Sequence, residues 1–243
     1  MHEQIQSSIQ DTAGTGNERQ VLDLGDFSKH KRAHARRAFD SLPPGGSLEI
    51  VARRKPGQLF FELQHHYGLD FYWWPLERGP WLWRVVLAKP ALGVKPTVAS
   101  MMSADHGHLD QLWDELETAV ELSHFGCIRR YVDELSLGSR RYIGIEESLL
   151  FPLLEAQTGA HRATARMRSE HRQIERALDR FDELRRITDR ATILQSHEQE
   201  VQMRELFERH CHKEEATLYP AMDIVFNPEE KSNLLPVIQA FEI

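Results

Sequence analysis

The spacing of apolar residues along this chain changes once, near residue 90. Before that point apolar and polar residues fall into short runs separated by turn residues. After it, apolar residues recur every three or four positions, the period of a helix face. The first part predicts a strand at VLDL (21–24) and a helix over 29–41, which stops at Leu42-Pro43-Pro44-Gly45-Gly46. LEIVARR (48–54) alternates as a strand does. PGQLFFELQHHYG (56–68) has Pro near its start and Gly at its end, as helices do. LDFYWWPLERGPWLWRVVLA (69–88) reads as two strands around a turn at Glu77-Arg78-Gly79-Pro80. The order βαβαββ predicts a small two-layer α/β unit over 20–90, preceded by a polar, disordered leader over 1–19.

Trp73, Trp74, Trp81 and Trp83 lie in the last hairpin. Helices cover only one face of such a sheet, and adjacent residues on a strand point to opposite faces. One aromatic set is therefore core. The other is expected against the helical part of the chain, a second copy in a homodimer, or a partner protein, because large exposed apolar patches are rare.

Residues 97–241 read as an antiparallel four-helix bundle with a short C-terminal helix, giving an α+β two-domain fold. The predicted helices are 97–122, 124–156, 162–187 and 191–225, with breaks near Ser123, Gly159 and Asp189, followed by a tail helix capped at Asn227-Pro228.

Composition narrows the function classes. The net charge of −7 divides unevenly: residues 1–90 hold 12 Lys and Arg against 10 Asp and Glu, and residues 91–243 hold 18 against 27. No basic stripe tracks a phosphate backbone, so nucleic acid is not an expected partner. No run nears the roughly 18–20 apolar residues of a membrane span. The start lacks the basic and apolar regions of a signal peptide. Cys127 and Cys211 are expected as reduced thiols, and the location as cytoplasmic.

The chemistry lies in a repeat. SADHGHLDQLW (103–113) aligns with RSEHRQIERAL (168–178), and RRYIGIEESLLFPLLE (140–155) with ERHCHKEEATLYPAMD (208–223). The offsets, 65 from His106 to His171 and 68 from Glu146 to Glu214, are nearly equal, as a duplicated helix pair requires. His106 and His171 each interrupt an otherwise apolar stripe. His210 with Glu214, and Tyr142 with Glu146, lie one turn apart on their helices. All six side chains therefore aim at one region between the helices. Burying two carboxylates costs several kcal/mol each without compensation. A bound cation supplies it, and imidazoles with bridging carboxylates suit paired iron better than closed tetrahedral zinc. Within the predicted bundle the lone Glu-x-x-His match is Glu121-Leu-Ser-His124, at a helix end, so the paired signal is absent, and His-Glu-x-x-His is absent.

Other residues near the stripes are read as follows. His108 and His212 lie about 200° round the helix from their ligands and are expected at the surface. Glu147 and Glu215, offset by about 100°, are read as outer partners of ligands or as solvated. Asp110 and Glu175 are candidates to orient a ligand, and Cys211 is expected to pack away from the metal face. Gly107 and Gly144 either let a small molecule approach or ease helix packing. Pro152 and Pro220 are expected to kink both halves alike.

DHGHLDQL, YIGIEESLLFPLLEAQTG, SEHRQI and HCHKEEATLYP resemble the bacterial hemerythrin-like, or HHE cation-binding, domains over about residues 97–240. The resemblance implies a non-haem site of two iron ions with an oxo or hydroxo bridge, His106, Glu146, His171, His210 and Glu214 as ligands, and the glutamates as bridges. Tyr142 stands where the family usually has histidine. It either packs, leaving an iron position open, or ligates as a phenolate, its ordinary pKa of about 10 lowered by the cation. Its place one turn before Glu146 favours ligation. A phenolate stabilises ferric iron and so argues against a simple oxygen store.

Residues 20–89 resemble a small domain of unknown function that often precedes such bundles and is itself similar to sulfur carriers of the TusA/SirA type. Those work through a cysteine near the first helix. Here the stretch is DLGDFSKHK, without one, so sulfur carriage is not expected. The implied function is binding of, or reaction with, O2, NO or peroxide in nitrosative or oxidative stress response or sensing. A redox enzyme for peroxide decomposition or iron–sulfur repair, and an iron-dependent sensor or adaptor acting through the N-terminal domain, are the alternatives.

Overall fold

The structure is a computed structural model that describes residues 20–26, 28–181 and 190–241. The leader over 1–19 and the break near Asp189 fall outside the described residues. The N-terminal part runs β1 (Gln20–Gly25), α1 (Lys29–Ser41), β2 (Ser47–Ala52), α2 (Gly57–Tyr67), β3 (Tyr72–Arg78) and β4 (Trp83–Ala88), the βαβαββ order that the hydrophobic pattern predicts. The strands form one sheet in the order β1-β2-β4-β3, with β1 parallel to β2 and the other neighbours antiparallel. Alternation along the strands divides the side chains between two faces. Leu48, Ile50, Trp73, Val85 and Leu87 pack beneath the helices against Phe39, Leu59, Phe60 and Leu63. Leu76, Val86 and Ala88 face the other way with Tyr72 and Trp74.

That second face docks on the bundle. Arg84 donates from Nε to Glu49 at 2.6 Å and from Nη1 to Glu134 of the second bundle helix at 2.5 Å, with Glu134 1% exposed. Of the expected occupants of the aromatic face, the helical part of this same chain is the one that covers Tyr72 and Trp74. Trp81, at the hairpin tip, remains 85% exposed.

The bundle consists of α3 (Val98–Glu121), α4 (Phe125–Ile145), α5 (Phe151–Thr158), α6 (His161–Phe181), α7 (Arg190–Lys213) and α8 (Tyr219–Val225), closed by α9 (Pro228–Ala240). Thr97 caps α3 and Asn227 caps α9, each with a reciprocal side-chain bond from the third helical residue. Gly159 ends α5 in the left-handed conformation at φ +67°, where glycine has no Cβ penalty. The prolines act alike in both halves, through helix widening. Glu146–Leu150 and Glu214–Leu218 are single π-helical turns just before Pro152 and Pro220. In them Phe151 N–H reaches Glu146 O and Tyr219 N–H reaches Glu214 O, five residues back. Each turn opens on a buried glutamate.

The apolar stripes close on one core. Met102, Leu109, Trp113 and Leu116 of α3 meet Leu135 of α4 and Ile174 and Leu178 of α6, each at most 1% exposed.

Candidate metal centre

The stripes bring the six expected side chains to the middle of that core. Glu146, His171 and Glu214 have no exposure, nor has Tyr142, while His210 is 1% and His106 3% exposed. Ligand-type atoms of Glu146, His171, His210 and Glu214 all lie within 4.8 Å of one another. Atoms of His106, Cys211 and Glu214 form a second such group, so Glu214 belongs to both.

Each imidazole has one nitrogen committed outward. Nδ1 of His106 lies 2.9 Å from Glu215, Nδ1 of His171 2.8 Å from Glu147, and Nδ1 of His210 3.0 Å from Glu170. A carboxylate accepts, so these nitrogens donate, and in a neutral ring Nε2 then carries a bare lone pair. Nε2 of His171 lies 2.9 Å from Glu146 Oε2, and Nε2 of His210 lies 2.9 Å from Glu214 Oε1. Neither Nε2, neither oxygen of Glu146, nor Oε1 of Glu214 has a hydrogen-bond partner among the described residues. Lone pairs facing one another in an oily core require a positive charge between them, a proton or a metal ion. The donor set fits a metal cation, with the outer carboxylates fixing each ring's tautomer.

The electrostatics of the metal-free site show the same need. Burial, and then the neighbouring Glu214, push Glu146 up to about 7. Burial opposes charge on His171, yet Glu146 and Glu214 beside it raise it to about 10. Burial also works against a charged Glu214, but the His171 and His210 imidazoles beside it, protonated in the metal-free site, and then the Tyr142 hydroxyl hold it well below the usual carboxylate range. Protons thus take the role that a cation would fill.

Tyr142 turns its hydroxyl to Glu214 Oε2 in a short hydrogen bond. Burial and the two glutamates push its pKa well above 10. Tyr219, which the sequence reading left out, places its hydroxyl 3.2 Å from His106 Nε2 and 3.3 Å from Glu214 Oε2. A signal for it existed: Tyr219 is the counterpart of Phe151 in the repeat, so one half carries a phenol where the other carries a bare ring. Phe151 instead stacks on His171, with centroids 5.5 Å apart and planes 9° from parallel.

Three expectations need correction. Cys211 does not pack away from the centre; its sulfur groups with His106 and Glu214. It lies three residues before Glu214, about 60° round the helix on the side opposite His210. His108 is not at the surface: it is 6% exposed and stacks on Trp74 at 4.5 Å, because the N-terminal sheet covers that flank of α3. The carboxylates that hold the imidazoles are Glu147, Glu170 and Glu215, not Asp110 and Glu175. Glu170 was legible as the acid before His171 in the repeat. His212 is exposed, as expected. Gly107 has open space around it, so close helix packing is not its role.

The hemerythrin HHE cation-binding domain family matches residues 97–222, about half of the chain, and spans every residue of this centre. The chain belongs to that family. Hemerythrin HHE domains bind cations, and the buried histidine, glutamate and cysteine groups are where this one has the ligands to do so. An uncharacterized conserved protein family (DUF2249) matches residues 21–89 in front of the hemerythrin domain. Neither match concerns sulfur carriers. No curated protein and no solved structure gave a match. Among the described residues, no helix is long and apolar enough to cross a membrane.

Proposed function

We propose that this hemerythrin-family chain is a cytoplasmic non-haem diiron protein that binds or reacts with a small oxidant, O2, NO or peroxide, in nitrosative or oxidative stress response or sensing. The observation that carries the reading is the sharing of Glu214 by two adjoining ligand groups inside one core. One ion would be held by His171, His210, Glu146 and Glu214. The other would be held by His106, Glu214 and a phenolate from Tyr142, with Cys211 and Tyr219 beside it. Bound iron would supply redox chemistry and an attachment point for a diatomic ligand.

The chain's own residues do the rest. Glu147, Glu170 and Glu215 keep the three rings turned with Nε2 inward. Phe151 and Phe207, neither of them exposed, pack against His171, His106 and Tyr142 and exclude water from the walls. The hydroxyl of Tyr219, between His106 and Glu214, is placed to donate a hydrogen bond to whatever those residues hold.

Metal analysis with a visible spectrum of the iron-loaded chain tests this. A phenolate-to-ferric charge-transfer band that disappears in Tyr142→Phe and survives in Tyr219→Phe is the expected result. An iron-loaded chain that lacks the band, or keeps it in Tyr142→Phe, would contradict the phenolate ligand, and a diferrous form that takes up O2 and releases it unchanged would make the chain an oxygen store rather than a stress-response protein.

A second reading, an iron-dependent sensor, draws on the docking of the N-terminal sheet beside His106. It predicts iron-dependent association with a partner without turnover.

A further inference from the structure

An acid precedes the histidine in each half of the repeat: Asp105 before His106, and Glu170 before His171. Both acids are used in a similar way, each holding a ring N–H on one oxygen and a basic side chain on the other, with Arg166 as a second, looser basic partner of Glu170 at 3.5 Å. Glu170 takes Lys213 Nζ at 2.8 Å on Oε1, and Nδ1 of His210 at 3.0 Å on Oε2. Asp105 takes the Arg141 guanidinium on Oδ2 and a ring N–H at 2.6 Å on Oδ1. The rings differ. His210 belongs to the metal centre, whereas the N–H on Asp105 is the indole of Trp74, from β3 of the N-terminal domain.

The repeat explains the substitution. The counterpart of His210 is Tyr142, which has no ring N–H and whose hydroxyl points to Glu214. Asp105 is 7% exposed, and a buried carboxylate that loses a donor is costly. The N-terminal sheet provides the missing donor. The indole is held in place by stacking on both sides of the seam: on His108 at 4.5 Å with planes 7° apart, and on Tyr72 at 5.2 Å with planes 11° apart. Arg141, the other partner, also donates to the Ile238 carbonyl at 2.9 Å and the Phe241 carbonyl at 3.1 Å. The adjoining Gln239 donates to the Phe71 carbonyl at 2.9 Å, which ties α9 to the same seam.

We propose that Asp105 is a positioning carboxylate joining the N-terminal sheet to the metal centre, with the Trp74 indole N–H standing in for the imidazole N–H that Tyr142 cannot offer. The identity of residue 142 and the docking of the sheet are therefore coupled. The proposal rests on the reading of position 142 as part of the metal centre. It gives the N-terminal domain a role at that centre: its docking sets the hydrogen bonding of Asp105, next to His106, and through Asp105 that of Arg141, next to Tyr142.

Amide hydrogen exchange of β3 and β4 in the iron-free full-length chain tests the coupling. Trp74→Phe removes the N–H and keeps a ring, and is expected to speed exchange roughly tenfold or more. Tyr142→His offers Asp105 a competing N–H and is expected to speed exchange in the same segments. The double variant is expected to exchange no faster than the faster single one, because both act on one carboxylate. Exchange unchanged by Tyr142→His, or effects that multiply in the double variant, would overturn the proposal. Should Trp74→Phe fail to fold, Asp105→Ala takes its place: it should loosen the sheet and abolish the effect of Tyr142→His, and a persisting effect would count against the coupling.

A second readout separates positioning from docking alone. In iron-loaded protein, Trp74→Phe is expected to shift the visible iron absorption, and a spectrum identical to the parent's would show that Asp105 does not reach the centre. If the parent chain retains no iron, the diiron reading falls, while the exchange data still decide the coupling.

Discussion

The two halves of the bundle are one helix pair written twice, and their differences are concentrated at the centre. Each side of that centre draws on both copies. The side around His171 and His210 has two imidazoles, each held by an outer acid, with the plain Phe151 ring of the first copy against His171. The side around His106 has one imidazole and the phenol of Tyr142, joined by the Tyr219 phenol and the Cys211 thiol of the second copy. Glu214, from the second copy, serves both. The comparison teaches that duplication preserved what burial demands, the glutamates and the acids that hold rings. Donor chemistry differs, since the larger phenol of Tyr142 takes the repeat position of an imidazole and still donates to Glu214.

If that comparison is sound, residues shared by both halves should matter most. Glu214→Ala is expected to remove nearly all bound metal, because it strips a ligand from both groups. His171→Ala and His106→Ala should each empty one half preferentially, read as metal per chain after loading and desalting. Equal losses in the two histidine variants, with Glu214→Ala no worse than either, would erase the distinction between shared and private ligands.

The outer acids come next. Glu147→Gln, Glu170→Gln and Glu215→Gln should each weaken metal binding about ten- to hundredfold, as loss of a ring-orienting carboxylate does. Competition with a chelator measures this. Asp105→Asn is expected to have a smaller effect on affinity than Glu170→Gln, because Asp105 holds no ligand ring.

Without metal, the halves should respond to pH through the His171 side. His171 is raised to about 10 in the folded chain, so the folded ring binds its proton more tightly than the unfolded one. Its stabilisation is complete below its ordinary value of 6.5 and is lost as the pH rises through about 10. Glu146, raised to about 7, acts in the same direction: the metal-free fold is favoured while it is protonated and loses that advantage as the pH rises through about 7. Glu214 has the opposite sign, and its contribution is lost only in strong acid. Thermal unfolding of iron-free protein should therefore move to lower temperature between about pH 6 and pH 10, and iron should suppress the change by replacing the protons. A flat profile would contradict the assigned directions.

The smallest expected effect lies outside the comparison. Gly107→Ala faces open space in mid-helix and should stabilise the chain by about 1 kcal/mol, seen in denaturant unfolding, without changing metal content.

Much of this was legible in the chain itself. Helix α1 spans the residues that its pattern and the Pro43-Pro44 stop define, and the βαβαββ order of elements along the chain followed from period-2 runs, helix signals and turns. The histidines on apolar stripes, Glu146 and Glu214 were readable because charged groups at core positions break a pattern. Cys211 and Tyr219 break none. A thiol and a phenol look like packing residues, and only the three-dimensional neighbours reveal their company. His108 was misplaced for a different reason: helix angles say which side a residue occupies, but not that another domain covers that side. The π-helical turns escaped as well, since the pattern shows proline but not how the backbone absorbs it.

The most direct test of the central claim is the ratio of iron to protein after anaerobic loading and exhaustive dialysis, taken on the parent chain and on Glu214→Ala side by side. Two irons per parent chain and almost none in the variant are predicted. Retention of no iron by the parent, or equal retention by both, would mean that the buried carboxylates are held by protons alone.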